Sequence, residues 1–187
     1  MLDTINQMGA RALGDLTAVL ANVEDAAVDR FIAELASAKR IALHGLGREG
    51  LQMRGLAMRL FHMGLDAHVV GDMTTPPLGA DDLLIVSAGP GDLQTIAALM
   101  NIAKAAGAKT AVVTAQAEGG ATRRADCVLL IPAQTMANDQ AGKLSILPMG
   151  SLFEAAQMLV FELVVLKLRD RLGETAETMR ARHTNLE

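Results

Sequence analysis

The chain has 187 residues, 51% of them hydrophobic, and a formal net charge of −4, which suits one globular domain spanning residues 1–187. Aromatic residues make up 2% of the chain, and Trp and Tyr do not occur, so few side chains are available on which nucleobases stack. The negative charge also disfavours contact with a phosphate backbone, and we expect no nucleic-acid partner.

The sequence also indicates where the protein works. Cys127 is the single cysteine, so no internal disulfide can form, as is typical of a reducing compartment. Residues 1–14 lack the continuous apolar core of a signal peptide. We therefore expect a soluble, cytoplasmic protein without a membrane partner.

Two amphipathic helices are predicted before the first strand, over residues 3–21 and 25–38. Their apolar faces consist of Leu13, Leu16, Val19 and Leu20 in the first, and Val28, Phe31, Ile32 and Leu35 in the second. Because they precede the sheet, these helices must pack outside it or against a partner.

Residues 40–64 predict a buried strand (40–44), a glycine turn (45–50) and a helix that starts near Arg48. The stripe expected along this helix comprises Leu51, Arg54, Met58 and Phe61, with Leu56, Leu60 and Met63. Glycines at such a turn let a ligand approach the backbone N–H groups of the helix N-terminus, which favours an anion site, most often for phosphate. A tight turn that binds nothing has the same pattern, and this alternative stays open.

The middle of the chain repeats the strand–helix pattern. Strands are predicted at 67–70, 83–87, 109–114 and 127–131, with helices at 92–106 and near 118–124 and a second glycine turn at 88–91. Each strand is a continuous apolar run, which indicates a parallel sheet in a three-layer α/β domain. Ligands of such sheets bind at the carboxyl ends of the strands, where the strand order reverses, and we expect both glycine turns there.

The C-terminal part holds an unusual helix over residues 152–168. It is apolar on nearly every side, and the polar residues that interrupt it are Glu154, Gln157, Glu162 and Lys167. These charges disfavour a membrane span, so we expect a subunit interface to cover part of the helix. Residues 174–187 predict a short helix and a polar tail, in which His183 is either solvated or functional.

Several motifs resemble the sugar isomerase (SIS) family. They are GLGREG after the first strand, VVGDMTTPPLG after the second, and SILPMGSLFE; the ending MRARHTNLE is similar to its 6-phospho-3-hexuloisomerase branch. The resemblance spans essentially the whole chain. It implies a flavodoxin-like fold with a five-stranded parallel sheet, a tetramer, and interconversion of 3-hexulose 6-phosphate and fructose 6-phosphate without metal or other cofactor.

The resemblance also assigns residues. Glu154 matches the family's candidate base, and His183 matches a C-terminal histidine delivered to a neighbouring subunit's site. The phosphorylated sugar would be bound by Gly45, Gly47, Arg48, Thr74, Thr75 and Ser87, with Gly89 and Gly91 in the second glycine turn.

The chain departs from the family at two places. Glu49 stands where the family usually has a serine, and residues 87–92 read Ser-Ala-Gly-Pro-Gly-Asp where it usually reads Ser-Gly-Ser-Gly-Glu-Thr. Two hydroxyls are lost, and two carboxylates are gained nearby. A carboxylate that faces phosphate is repulsive unless it is turned away or paired, although backbone N–H groups and Arg48 can still bind the anion.

Three functions therefore remain at this stage. The first is a phosphosugar isomerase in which Glu154 moves a proton through an enediol. The second is a non-catalytic SIS module that binds a sugar phosphate. The third is a dinucleotide-binding protein, because residues 45–50 satisfy GxGxxG and Asp72 ends the second strand. The histidines and Cys127 show no metal-ligand spacing.

Overall fold

A computed structural model describes residues 3–140 and 145–186. The helices are α1 (Ile5–Leu20), α2 (Asp25–Ser37), α3 (Gly47–His62), α4 (Gln94–Ala105), α5 (Gly120–Arg124), α6 (Ser151–Leu172) and α7 (Ala176–Ala181). The strands are β1 (Ile41–His44), β2 (Ala67–Val69), β3 (Leu83–Ser87), β4 (Lys109–Thr114) and β5 (Cys127–Leu130). The predicted elements agree with these bounds to within a few residues, apart from Glu187 of the predicted tail, which lies outside the described residues.

The five strands form one sheet in the order β2-β1-β3-β4-β5, and every pair is parallel. The order reverses between β1 and β3, because the chain places β2 on one side of β1 and then returns to place β3 on the other side. The carboxyl ends of these two strands therefore border the crevice in which ligands of open α/β sheets bind.

Helices cover both faces of the sheet, which confirms the predicted three-layer α/β class. One core cluster joins alternate strand residues such as Ile41 and Ile85 to α2, α3 and α6. The other cluster joins the intervening residues such as Leu84 and Val86 to α4 and α5. The strands are continuous apolar runs because successive side chains point to opposite faces and both faces are buried.

The predicted faces of the first and third helices were partly wrong. In α3 the buried side chains are Met53, Leu56, Ala57 and Leu60, whereas Leu51, Met58 and Phe61 are exposed. In α1 the buried residue is Val19, and Leu13 is 66% exposed. Apolar residues surround much of each helix, so helical spacing alone did not select the side that meets the sheet. The predicted face of α2 is buried and thus confirmed.

Helix α6 packs against α1, α2 and α3 within the chain. These contacts bury one side of the helix, while the opposite side exposes Met158, Leu159, Leu163 and Leu166. No helix of the described residues is long and apolar enough to cross a membrane.

Candidate active site

Two glycine turns meet at the carboxyl ends of β1 and β3. Gly45 is needed for close packing, because a Cβ atom there would lie 3.0 Å from the backbone nitrogen of Gly50. Gly47 opens α3 with a φ of +54°, and its Cβ position has no atom within 4 Å. The space beside the N-terminus of α3 is therefore open at Gly47. The first N–H groups of a helix have no partners within the helix, so this end of α3 is a candidate anion site.

The Glu49 carboxylate bridges the two turns. Its Oε2 atom accepts a hydrogen bond from the Ser87 hydroxyl at 2.5 Å and another from the Gly89 N–H at 3.0 Å. The Gln157 Nε2 of α6 donates to the same Ser87 oxygen at 2.8 Å. This chain of donors directs the Ser87 hydrogen at Glu49 and ties α3, β3 and α6 together.

Burial raises the pKa of Glu49, and repulsion from the nearby Glu154 carboxylate raises it further. The hydrogen bonds from Ser87 and Gly89 oppose this shift, because they stabilise the charged form. Desolvation prevails, so the carboxylate holds its proton to a higher pH than an exposed glutamate does.

The Glu154 carboxylate lies in the first turn of α6, paired with Arg48. The Arg48 Nε atom is 2.7 Å from Glu154 Oε2, and its Nη2 donates to the Met149 carbonyl, also at 2.7 Å. The Glu154 side chain is 16% exposed and that of Arg48 is 49% exposed. One guanidinium thus fixes the predicted base and still faces solvent, where it can meet an anionic substrate.

A cleft of about 840 Å³ lies beside this pair, and Met149 forms part of its wall. Arg11, Asp15, Gln134 and Ser145 also line it. Asp15 accepts a hydrogen bond from Ser145 at 2.6 Å. The cleft provides room next to Arg48 for a small polar molecule.

The structure separates the predicted phosphate-binding residues into groups. Ser87 is fully buried and bonded to Glu49, and the Gly89 N–H serves the same carboxylate. Gly91 has a φ of +100° and packs against Gln116, so its role in the structure is to shape the turn. Asp92, the second carboxylate that departs from the family pattern, is exposed and lies against Gly120.

Thr74 and Thr75 lie apart from the glycine turns. They line a separate hollow of about 390 Å³ with Arg54, His68 and Asp72, on the flank of α3 beside β2. The Thr75 hydroxyl donates to the Val69 carbonyl at 2.6 Å. These threonines stay predicted ligand contacts of the second strand's loop.

Within the chain, His183 does not lie near Glu154. Its ring stacks on that of His62 with the centroids 5.1 Å apart. Arg182 holds this tail by donating to the His62 carbonyl at 2.9 Å and pairing with Glu174 at 2.7 Å. His62 ends α3 and Arg48 begins it, so at 1.5 Å per residue roughly 20 Å of helix separates His183 from the pair.

His44 ends β1 and is partly buried, as expected of a residue that packs rather than catalyses. Burial lowers the pKa of its imidazole, and a hydrogen bond to the Val70 backbone opposes the shift. The described residues contain no group of three or more His, Cys, Asp or Glu side chains placed to hold a metal ion.

The sequence did not reveal a role for Gln157 in the site, and it did not predict that Glu49 accepts a hydrogen bond from Ser87. Gln157 is fully buried in α6, one helical turn after Glu154 and on the same side. A polar residue three positions beyond a candidate base, within an apolar helix, was the signal available for it. No local pattern indicates the partner of Glu49, because Ser87 and Gly89 are distant in sequence.

Comparisons with known proteins agree with this architecture. Residues 34–159 match the SIS domain. The 3-hexulose-6-phosphate isomerase of Bacillus subtilis (strain 168) is 34% identical over 178 residues, which cover 95% of this chain and 96% of that protein. The Mycobacterium gastri protein of the same name is 40% identical over 148 residues, covering 79% and 74%.

A solved structure has a similar fold. It is a hypothetical protein from Methanococcus jannaschii, for which a function as 3-hexulose-6-phosphate isomerase has been inferred from its crystal structure. The TM-score is 0.81 with 28% identity, and the alignment covers 97% of this chain and 98% of the other.

Proposed function

The chain belongs to the SIS domain family, and from this premise we propose that it is an isomerase of phosphorylated sugars, interconverting 3-hexulose 6-phosphate and fructose 6-phosphate. The observation that carries the proposal is the Glu154 carboxylate, fixed by Arg48 at 2.7 Å beside the two glycine turns. Relatives named for this activity, similar over nearly the whole chain, support it.

The reaction moves a carbonyl between neighbouring carbons. Glu154 removes the proton from C2 of the hexulose phosphate and returns it to C3, through an enediol that the two sugars share. Arg48 holds this carboxylate in place and supplies positive charge where the enediol oxygens gain negative charge. The carbon-bound proton moves from C2 to C3 while the hydroxyl proton moves from O2 to O3. The proposal includes no metal or cofactor, since only protons are transferred.

The phosphate group is proposed to bind at the first turn of α3, at Gly45, Gly47 and Arg48. The open space at Gly47 and the half-exposed Arg48 support this placement. Ser87, Gly89 and Gly91 of the adjoining turn are proposed to complete the same phosphate site. Thr74 and Thr75 are proposed to contact the ligand from the second strand's loop.

We also infer a homo-oligomer, for which the family resemblance makes a tetramer the proposed state. The exposed side of α6 carries Met158, Leu159, Leu163 and Leu166, and the adjacent α3 exposes Met58 and Phe61. Such apolar surface on neighbouring helices favours burial against another subunit. An oligomer would also allow His183, distant from Glu154 in its own chain, to reach a neighbour's site. The cytoplasmic location stays a prediction.

A panel of hexulose and pentulose phosphates, each assayed for isomerisation, tests the proposed reaction. Conversion of 3-hexulose 6-phosphate to fructose 6-phosphate supports it. Tight binding without turnover would favour the non-catalytic module instead. NAD is the control for the dinucleotide alternative, which the flavodoxin-like strand order and the pairing of Asp72 with Arg54 at 3.5 Å disfavour.

A further inference from the structure

The Glu49 carboxylate accepts hydrogen bonds from donors of the kind that bind phosphate. A hydroxyl and a backbone N–H, from Ser87 and Gly89, converge on a single carboxylate oxygen at 2.5 and 3.0 Å. The hydroxyl cannot readily turn elsewhere, because Gln157 donates to its oxygen at 2.8 Å and so directs its hydrogen toward Glu49. We call this pair of donors, with Gln157 behind them, the anion seat.

The anion seat fits the glutamate closely. A Cβ atom on Gly89 would lie 2.8 Å from Glu49 Oε1 and 2.8 Å from two ring carbons of Phe153. A side chain at position 89 is therefore incompatible with the seated carboxylate. Glycine at this position therefore leaves the space that the Glu49 carboxylate and the Phe153 ring occupy.

The groups around the anion seat do not neutralise Glu49. From α3, Arg48 pairs with Glu154 instead, and among the described residues Glu49 forms no ion pair within 4.0 Å. From α6 come the negative Glu154 and the neutral Gln157. His44, which ends β1, is a further titratable side chain at this edge, and burial lowers its pKa. A second anion brought to the seat would meet an uncompensated carboxylate.

We propose that Glu49 is a specificity-determining residue, whose carboxylate competes with the phosphate group of a ligand for the Ser87 and Gly89 donors. This inference rests on the proposed function for the sugar-phosphate ligand. Glu49 has no ion-pair partner among the described residues, so hydrogen bonds alone hold its carboxylate in the seat, and these donors can serve another anion. Phosphate esters bind after Glu49 has left the seat, and removing Glu49 opens it.

Calorimetric titration of fructose 6-phosphate, inorganic phosphate and unphosphorylated fructose tests the proposal. Glu49→Ser should bind fructose 6-phosphate at least ~10-fold more tightly than the wild type, because the competing charge is gone. Tighter binding of inorganic phosphate as well would show that the seat recognises phosphate itself, and tightening of the ester alone that it needs the sugar. Fructose affinity should not change.

Two further variants serve as controls. Glu49→Gln removes the charge but keeps the side chain, so it should tighten phosphate binding less than Glu49→Ser. Glu34→Gln removes an equal charge at the opposite edge of the sheet, where Glu34 pairs with Lys109 at 2.8 Å, and should have no effect. Circular dichroism checks that each variant is folded.

Unchanged, weaker or undetectable binding of phosphate compounds by both Glu49 variants overturns the proposal. The failure of the proposed function has a different signature. In that case no hexulose phosphate is isomerised by the wild type, whereas the titrations still show tighter phosphate binding in Glu49→Ser.

Discussion

Arg48 and Glu154 form an ion pair of 2.7 Å that joins the first turn of α3 to the first turn of α6. The same guanidinium donates to the carbonyl of Met149, whose φ of +52° is rare for a residue other than glycine. Arg48 therefore fixes both the carboxylate and the backbone that leads into α6. The proposed base on α6 therefore depends for its position on Arg48, a residue of the first glycine turn.

Replacing Arg48 by Gln should release Glu154 and remove positive charge from the site. We expect kcat/KM to fall by roughly 10²-fold. The base would no longer be held in position, and the enediol oxygens would lose the positive charge that stabilises them. The loss of folding stability should be at most about 1 kcal/mol, since Arg48 is half-exposed and its ion pair is screened by water. Steady-state kinetics and urea unfolding measure the two effects.

Arg59→Gln is the matched control for this prediction. Arg59 lies about three turns further along the same helix, is 39% exposed and pairs with Glu162 of α6 at 2.9 Å. Equal losses of kcat/KM in the two variants would indicate a general effect of surface charge rather than a role for Arg48 at the base.

The raised pKa of Glu49 predicts how stability depends on pH. Between the ordinary glutamate value and the raised value, the folded chain keeps a proton that the unfolded chain releases. The free energy of unfolding should therefore fall as pH increases through this window, by at most about 1.4 kcal/mol per pH unit. Urea unfolding of the wild type and Glu49→Gln from pH 4 to pH 8 isolates this contribution as their difference.

Ser87→Ala extends this test. The Ser87 hydroxyl stabilises the charged form of Glu49, so its removal should raise the pKa further and carry the fall in stability to higher pH. A difference between wild type and Glu49→Gln that is flat across the range, or that grows with pH, would contradict a raised pKa.

The sequence was sufficient to predict each strand found within residues 3–140 and 145–186, and the sheet class, because buried parallel strands such as Leu83–Ser87 are continuous apolar runs. It also placed both glycine turns at one edge. The bond from Ser87 to Glu49 could not be predicted, since it joins residues that lie on different elements and are distant in sequence. Within the chain Ser87 is buried and donates to Glu49, and the contact with phosphate that the family resemblance assigns to it stays a prediction.

The proposed oligomer predicts contrasting effects at two adjacent positions of α6. Leu159 is 39% exposed on the outer side, and Val160 is 2% exposed in the core. Leu159→Glu should yield folded, dissociated subunits in sedimentation, whereas Val160→Glu should destabilise the fold by several kcal/mol through an unpaired buried charge.

Ile102→Glu is the control for the interface. Ile102 is 66% exposed on α4, across the sheet from α6, and its replacement should leave the assembly intact. A wild-type chain that sediments as a monomer at micromolar concentration would rule out the oligomer.

The distance between His183 and Glu154 within the chain predicts complementation between subunits. Glu154→Gln and His183→Ala should each have low activity alone. Mixing them should restore activity at up to about a quarter of the sites. This is the fraction of sites at which random assortment of subunits in a symmetric oligomer combines an intact Glu154 with an intact His183 from another chain.

The control mixture combines Glu154→Gln with the Glu154→Gln/His183→Ala double variant, which has no intact Glu154 to contribute. If the first mixture gains nothing while subunit exchange is demonstrated with labelled chains, His183 does not act in a neighbour's site.

The role of Glu154 as the base is the central claim, and isomerisation of 3-hexulose 6-phosphate in D₂O tests it most directly. The wild type should produce fructose 6-phosphate with deuterium at C3 whenever the proton on the base exchanges with solvent. Glu154→Gln preserves shape but cannot accept the proton, so turnover and deuterium incorporation should both fall at least ~10²-fold, with little change in substrate affinity. Full activity with normal deuterium incorporation in Glu154→Gln would contradict the account.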